Sequence, residues 1–527
     1  MAGFIDVILR GAILVFASLV LGGVVWTRWV LRAEPHAKPA PATALALRGV
    51  ALAAAAAAVA QTSTLLVALS EVGGVAGPEG WPLGAFFATT FARAAVLRVA
   101  LALAIGALAV TLARRAAGPV AWNALGGLAL AFVVTSAVLS HAVARVESRA
   151  TLIVLDALHQ VAAAVWIGGL AHLTLWAVRR GDEAPPAAGA ALLKRFSNLA
   201  LASVITLLVA GVVLSWLYVG DLAAYVGTAY GVMVLSKAIL LAAILALGAA
   251  NLRAVRSATA AAGPRVLRFV EVELGLGLTV LFAAASLTSL PPAVDVAADR
   301  ATVAEVAARF VPTPPRLTSP AVAELIARAE PLMGVATRRD AVERAWSEYN
   351  HHWAGIFVLT MGVLGCLERV GARAARHWPL VFFGMAAFMF VRNDPRAWPL
   401  GPAGFWESFT LPDVLQHRTF VLLVVAFGLF EWMVRTERLQ HRPWGYVFPL
   451  LAAVGGGLLL THSHAMFNLK TEFLSEVTHA PIGVLGAFCG WGRWVELRLP
   501  EAGRAPGWLS TLCLTAVGAI LVVYREA

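Results

Sequence analysis

The sequence predicts an all-α integral membrane protein with about fourteen transmembrane helices. Of its 527 residues, 60% are hydrophobic and only 13% are charged. Apolar stretches close to the ~20 residues that a helix needs to cross a bilayer recur along the whole chain. These stretches are continuously apolar rather than alternating, so the pattern excludes a transmembrane β-barrel.

The predicted spans follow one another with short polar loops between them. In chain order they cover residues 8–30, 44–69, 93–113, 121–141, 151–177, 198–219, 230–250, 270–290, 352–368, 378–392, 415–434, 446–462, 478–495 and 508–524. The span at 378–392 is shorter than a helix that crosses the bilayer unaided.

Lysine and arginine concentrate in every second loop, beginning with the loop after the first span. Short basic loops stay in the cytoplasm, so this alternation places both chain termini on the opposite side. The net charge of +11 follows from that topology. The sequence contains no nucleic-acid-binding motif, and we therefore expect the lipid bilayer, not a nucleic acid, to be its main environment.

The chain divides into three predicted parts. Residues 1–292 form an eight-span membrane block, and residues 351–527 form a six-span block. Between them, residues 293–350 form a proline-rich linker outside the cytoplasm, in which short amphipathic helices are predicted around 301–309 and 321–330. The three cysteines, Cys366, Cys489 and Cys513, all lie in predicted spans and form no CxxC pair, which argues against a disulfide framework.

The first block contains signs of an internal duplication. Thr89-Thr90-Phe91-Ala92 precedes Arg98 as Thr228-Ala229-Tyr230-Gly231 precedes Lys237, and Gly22-Gly23 matches Gly168-Gly169. Equivalent spans run in the same direction, so the pattern predicts a parallel four-plus-four repeat.

Several polar groups within the first block need partners, since a charge at mid-membrane costs about 2.5–3.5 kcal/mol even on lenient scales. Asp156 and His159 are three residues apart and share one face of the fifth span. With His141 they could form an outer metal-entry or proton-relay site. The alternative is an ion pair of Asp156 with Lys237 or Arg98, with the histidines hydrogen-bonded between helices.

Short motifs carry a resemblance over residues from about 85 to 292. They are Ser140-His141-Ala142, Asp156-x-x-His159, Trp166-Ile167-Gly168-Gly169-Leu170, Thr228-x-Tyr230-Gly231 with Lys237, Gly248 to Arg253, Arg268-Phe269 and Glu273. Together they resemble the copper resistance protein D (CopD) family of bacterial inner-membrane proteins. The resemblance implies copper handling, with uptake across the inner (plasma) membrane from the periplasm, and hence periplasmic termini. It marks as motif positions His141, Asp156, His159, Trp166, Lys237 and Glu273.

The second block, which is additional to the minimal family domain, places six histidines at its outer edge. They are His351, His352, His417, His462, His464 and His479. Neutral imidazole is a ligand for copper, zinc and iron, so one histidine from each stretch could build a metal site. A b-type haem clamped by His417 and His479 is the competing interpretation. The simplest interpretation is that these histidines bond only to lipid headgroups and water.

The sequence as a whole predicts a copper-handling membrane protein that is not an enzyme. Outer histidines would capture the ion, as Cu(I) or Cu(II), and pass it to the first block near Asp156 and His159. No Walker A sequence, GxSxG or HExxH is present, which disfavours ATP hydrolysis and common hydrolase chemistry. The alternatives are a haem-bearing electron carrier or oxidoreductase, and a membrane partner that docks a periplasmic copper chaperone on residues 293–350.

Overall fold

The computed structural model describes residues 2–76, 82–137, 148–180, 187–257, 262–328, 341–439, 443–461 and 470–526. Within these ranges every regular element is helical, which confirms the predicted all-α class. The described residues form two compact units. One comprises the stretches up to Tyr225 and Met233–Ala297, and the other comprises Val226–Val232, Ala298–Leu460 and the described residues beyond 469.

Among the described residues, the first half of the chain contains ten α-helices and the second half another ten. Those of the first half are α1 (Ala2–Val25), continued by a π-helical turn (Trp26–Val30), α2 (Pro41–Ala76), α3 (Leu83–Ala88), α4 (Thr90–Arg114), α5 (Pro119–Ala137), α6 (Arg149–Arg180), α7 (Ala187–Val219), α8 (Ala224–Gly227), α9 (Ala229–Ser257) and α10 (Ala262–Leu287).

The second half of the described chain contains the other ten. They are α11 (Val303–Ala308), α12 (Val322–Arg328), α13 (Ala341–Arg369), α14 (Val381–Arg392), α15 (Phe405–Ser408), α16 (Pro412–Arg435), α17 (Val447–Thr461), α18 (Lys470–Glu476), α19 (His479–Arg498) and α20 (Ala505–Val522). Short 3₁₀ helices join some of them, at Ala293–Asp299, Arg373–Leu380, Trp444–Tyr446 and Pro500–Ala502.

Twelve helical segments of the described chain are long and apolar enough to cross a bilayer, against about fourteen predicted. The two predicted spans outside this set, 352–368 and 478–495, lie in α13 and α19. Polar residues lower their hydropathy: the first turns of α13 are charged, and α19 carries Arg493, Glu496 and Arg498 in its last turns. Their lengths of 29 and 20 residues suffice for a bilayer, so these two spans remain predictions.

In the first unit, α1 and α6 form the centre: α1 contacts α2, α5, α6 and α10, and α6 contacts α5, α7 and α10. The two helices cross where glycines meet. A Cβ on Gly168 would lie 1.8 Å from the carbonyl oxygen of Ser18, and a Cβ on Gly22 would lie 2.5 Å from the Cα of Gly168. Only glycine permits so close an approach, which is how small residues serve helix pairs in membranes.

The packing around this crossing is repeated in the two halves of the unit. Gly23 of α1 lies against Val50 of α2, and Gly169 of α6 lies against Phe196 of α7. Val50 and Phe196 are separated in the chain by the same number of residues as Gly22 and Gly168. The two helix pairs therefore use equivalent positions for equivalent contacts.

The entries into α4 and α9 are also alike. A short helix, α3 or α8, precedes each one, followed by a threonine. The Thr89 hydroxyl accepts a hydrogen bond from the Ala92 amide (3.2 Å), and the Thr228 hydroxyl accepts one from the Gly231 amide (3.0 Å). Such N-caps satisfy amides that the first helical turn leaves unpaired.

In the second unit, α13 packs along α20, and α20 packs along α19. Glycines again set the distance: a Cβ on Gly362 would lie 2.5 Å from the Thr515 backbone, and one on Gly518 would lie 2.2 Å from the Leu359 nitrogen. A separate aromatic core lies between α14, α16 and the 3₁₀ helix Arg373–Leu380, where Trp378, Phe382 and Phe448 are buried.

Candidate metal centre

The outer half of α6 carries the polar groups that the sequence singles out. Asp156 and His159 lie on one helical face, and both are partly buried within the protein. The Gln160 amide donates a hydrogen bond to Asp156 Oδ2 (3.0 Å). This bond occupies one carboxylate oxygen.

His159 reaches from α6 into a notch on α7. Its Nδ1 lies 3.2 Å from the carbonyl oxygen of Leu207, and its Cε1 lies where a Cβ on Gly211 would be only 2.9 Å away. Because a carbonyl can only accept, Nδ1 carries the proton, and the neutral ring keeps its lone pair on Nε2. A backbone carbonyl that holds one ring N–H in this way is the usual support of a metal-binding imidazole.

Lys237 of α9 completes the group. It interacts electrostatically with Asp156 and with His159. The structure thus brings together three of the predicted site residues from two helices. Of the two partners considered for Asp156 from the sequence, Lys237 interacts with it electrostatically.

Arg98, the counterpart of Lys237 in the repeat, lies in a different environment on α4. Its Nε donates to Gln61 Oε1 of α2 (2.9 Å), and its Nη1 donates to Ser136 Oγ, Thr135 Oγ1 (3.3 Å) and the Phe132 carbonyl (3.4 Å) on α5. The guanidinium carbon lies 4.7 Å from the centre of the Phe132 ring. All these partners are neutral, and within the described residues Asp156 is not among them.

Glu273 belongs to a second polar site. It is buried on α10, and its Oε1 accepts a hydrogen bond from the Asn251 side-chain amide of α9. Asn251 follows Lys237 by fourteen residues, which is about 21 Å along the α9 axis. Glu273 is therefore separate from the group around His159.

Trp166 and His172 occupy the inner part of α6. Trp166 is buried in the core of the unit. His172, which sequence reasoning missed, is also buried; it donates from Nε2 to the Leu19 carbonyl (3.1 Å) and fits between Gly23 and Gly49. Its signal in the sequence was only a histidine within an apolar span, without a spacing that links it to α1 or α2.

Three predicted metal ligands, His141, His462 and His464, lie outside the described residues. Among the others, His352 has no ring nitrogen left for a metal in this conformation. Its Nδ1 accepts from the Arg316 amide (2.6 Å), and its Nε2 donates to the Tyr524 carbonyl (2.8 Å). These bonds anchor α13 to segments on either side of it.

His351 and His479 lie near each other in the second unit, with ring centroids 6.1 Å apart. The His351 ring stacks on Tyr524 at 3.9 Å, and its Nδ1 donates to the Ser347 carbonyl (2.8 Å). His417 has another partner: its Nδ1 lies 2.7 Å from Asp394 Oδ1. Thus His351 and His479 lie next to each other, and His417 lies next to Asp394.

The described part of the chain holds no group of three or more His, Cys, Asp or Glu side chains arranged to bind a metal ion. The site built from one histidine of each stretch therefore stays a prediction, because His462 and His464 are outside the described ranges. A haem between His417 and His479 gains no support from their separate sets of partners.

Comparison with known proteins bears on the helices that surround His159. Residues 190–287 match the family model described as Copper resistance protein D. We call residues 190–287 the CopD segment, after the family model that they match. A 146-residue stretch is 30% identical to the copper transport protein CutJ of Bacillus subtilis (strain 168), covering 28% of this chain and 26% of that relative. No solved structure matches this chain.

The CopD segment begins near the start of α7 and ends with α10. It therefore supplies the Leu207 carbonyl, the notch at Gly211, and Lys237, whereas Asp156 and His159 precede it. The predicted resemblance to the copper resistance protein D family is confirmed over residues 190–287. The chain spans about a quarter of the length of the curated relative that it matches.

Proposed function

We propose that this protein carries copper ions across a bacterial inner membrane, from the periplasm toward the cytoplasm, through a site formed by Asp156 and His159. The observation that carries the proposal is the orientation of the His159 ring. Its Nδ1–H is fixed on the Leu207 carbonyl of the CopD segment, which orients the Nε2 lone pair as a ligand. Imidazole nitrogen binds copper well in either common oxidation state.

Copper would replace the Lys237 ammonium as the cation beside Asp156. Without copper, the Lys237 ammonium balances the Asp156 carboxylate. A copper cation beside His159 would take over that role, and the ammonium would be repelled by the incoming charge. Displacement of Lys237, by movement or by loss of a proton, would then couple binding to a change in α9.

Glu273 and Asn251 fit the inner end of the same route. They lie about 21 Å further along α9 than Lys237, beside Gly248, whose Cβ would be 3.7 Å from Glu273 Oε2. A buried carboxylate here would attract a cation leaving the outer site. We propose this pair as the release site.

The second block would capture the copper ion at the outer surface. His351 and His479 are close enough to receive one ion between them, and His417 with Asp394 forms another polar position. The linker, residues 293–350, is the part of the chain that we propose for contact with a periplasmic copper chaperone.

The test is copper flux into proteoliposomes that contain the full-length protein. We expect His159→Gln to lower the initial rate by at least about tenfold, in line with the loss of a metal ligand's function. His36→Gln is the matched control, because His36 is an exposed histidine in the loop between α1 and α2. Wild-type flux in His159→Gln would refute the route through this site.

Elemental analysis of the purified protein separates copper handling from the haem alternative. We expect copper to bind when supplied and iron to stay far below one atom per chain. One iron per chain, lost when His417 or His479 is replaced, would instead identify a haem-bearing electron carrier.

A further inference from the structure

Arg98 is a buried cation whose charge is not balanced by the described residues around it. Only 2% of its surface is exposed, and its hydrogen bonds run to an amide, two hydroxyls and one carbonyl. A buried charge requires an opposite charge or a water-filled space. Neutral oxygen atoms satisfy its donors without cancelling its charge.

The guanidinium is also incompletely bonded. Nε and Nη1 account for all its hydrogen bonds to described residues, and Nη2 makes none of them. One face of the group lies over Phe132. The remaining nitrogen therefore presents two N–H donors that another ligand can accept.

The internal repeat indicates what kind of ligand is missing. In the second half, Lys237 interacts electrostatically with Asp156 of α6. When α1 is aligned with α6 through Gly22 and Gly168, the position of Asp156 is occupied by Arg10. Arg10 is itself a cation, held by Asp6 at 2.6 Å, so this position of the first half does not supply the carboxylate that its equivalent in the second half supplies.

We propose that Arg98, with Gln61, Thr135 and Ser136, forms a binding site for a small monovalent anion such as chloride. The anion would accept hydrogen bonds from Nη2 and from the Ser136 hydroxyl, which can rotate toward it, whereas the Thr135 hydroxyl donates to the Phe132 carbonyl. Arg98 follows Thr90 by eight residues, so the site lies about 12 Å along α4 from the start of that helix. A bound anion would cancel a positive potential that otherwise repels copper cations nearby.

The test is independent of copper transport. Binding of chloride to the full-length protein in detergent is followed by broadening of the chloride-35 NMR signal, at constant ionic strength set with gluconate. We expect saturable broadening for the wild type and its loss in Arg98→Gln. Arg93→Gln, which removes an exposed arginine from the same helix, is the matched control and should broaden the signal as the wild type does.

Three outcomes would overturn the proposal. They are the absence of saturable broadening in the wild type, full broadening in Arg98→Gln, and broadening that appears only in Glu147→Gln. The last would make Glu147, which lies outside the described residues, the counter-ion. If Arg98→Gln does not fold, bromide located by anomalous scattering in the wild type decides: bromide at Nη2 supports the site, and its absence there refutes it.

Discussion

Gly22 of α1 and Gly168 of α6 contact each other at equivalent positions of the two halves of the membrane domain. A Cβ added to Gly22 would lie 2.5 Å from the Cα of Gly168, and a Cβ added to Gly168 would lie 2.9 Å from the Cα of Gly22. Contact between equivalent positions is the property of an interface on a two-fold axis. A parallel four-plus-four repeat would produce this contact, and the repeat stays a prediction.

Gly168→Ala should destabilise the protein strongly. The new methyl group would lie 1.8 Å from the Ser18 carbonyl oxygen, so α1 and α6 must separate. Overpacking costs about 1–3 kcal/mol, and we expect at least the upper value because the obstacle is backbone. The thermal unfolding midpoint in detergent measures this. Gly126→Ala on α5, where a Cβ meets nothing within 4 Å, should leave the midpoint unchanged or raise it slightly.

Asp156 and Lys237 should be coupled in a double-mutant cycle. Asp156→Asn leaves the Lys237 ammonium without its carboxylate, and Lys237→Met leaves the carboxylate without its ammonium, so each single change should destabilise. The double variant should be more stable than the sum of the single effects predicts, by about 0.5–3 kcal/mol. Additive effects on the free energy of unfolding would show that the two groups do not pair.

Glu496 should be important for the second unit. It binds Arg369 through both carboxylate oxygens, at 2.6 and 2.9 Å, and it also binds Arg493 at 2.8 Å. Glu496→Gln leaves both arginines short of a carboxylate. Because Glu496 is only partly buried, the cost should lie below that of removing one partner of a fully buried pair, which is about 3–5 kcal/mol. Denaturant unfolding gives the value. Glu501→Gln, at an exposed carboxylate nearby, should change stability by less than about 0.5 kcal/mol.

Gly507 lies against the same ion pair and offers an independent check. A Cβ on Gly507 would lie 2.0 Å from Arg369 Nη1 and 2.3 Å from Glu496 Oε1. Gly507→Ala should therefore displace the bidentate pair. It should destabilise the wild-type protein more than it destabilises the Glu496→Gln variant, which lacks that pair. Equal effects in both backgrounds would mean that the alanine acts elsewhere.

Glu305 should titrate at unusually low pH. The Lys470 ammonium, 2.7 Å away, and the backbone amide and hydroxyl of Thr302 donate to its carboxylate and lower its pKa from 4.5 to about 2. A lowered pKa stabilises the fold above pH 4.5, and this contribution is lost as the pH falls toward 2. The carboxyl chemical shift of Glu305 should follow that range, and Lys470→Gln should move the transition upward. A transition near pH 4.5 in the wild type would contradict the contact.

The sequence predicts best those features that depend on local spacing. Asp156 and His159 share a face because of helical geometry alone. The likeness of the segments around Thr89 and Thr228 was also visible in the sequence, whereas the N-caps that their hydroxyls form were not predicted. The support of His159 was not predictable, since the Leu207 carbonyl is a backbone atom and Gly211 acts by lacking a side chain. Such contacts depend on how α6 packs against α7.

The histidines of the second block illustrate a second limit. Their sequence positions give their depth relative to the membrane but not their lateral distance. His352 proves to be bound to backbone groups on both ring nitrogens, and His417 pairs with Asp394. Residues at one level of a bundle meet only if their helices are neighbours, which hydropathy does not reveal.

The glycine contact between α1 and α6 also bears on why both halves are joined in one chain. Two identical four-helix units meeting at such a seam would possess every group twice, including two copies of any carboxylate and any imidazole. When the two halves are joined in one chain, each half can change its sequence independently, so a group need not be present twice. Asp156 and His159 face Lys237 on one side only, while the other side carries Arg10 and Ile13 in their places. The proposed passage would thus lie on one side of the axis only, an asymmetry that a dimer of equal units could not have acquired.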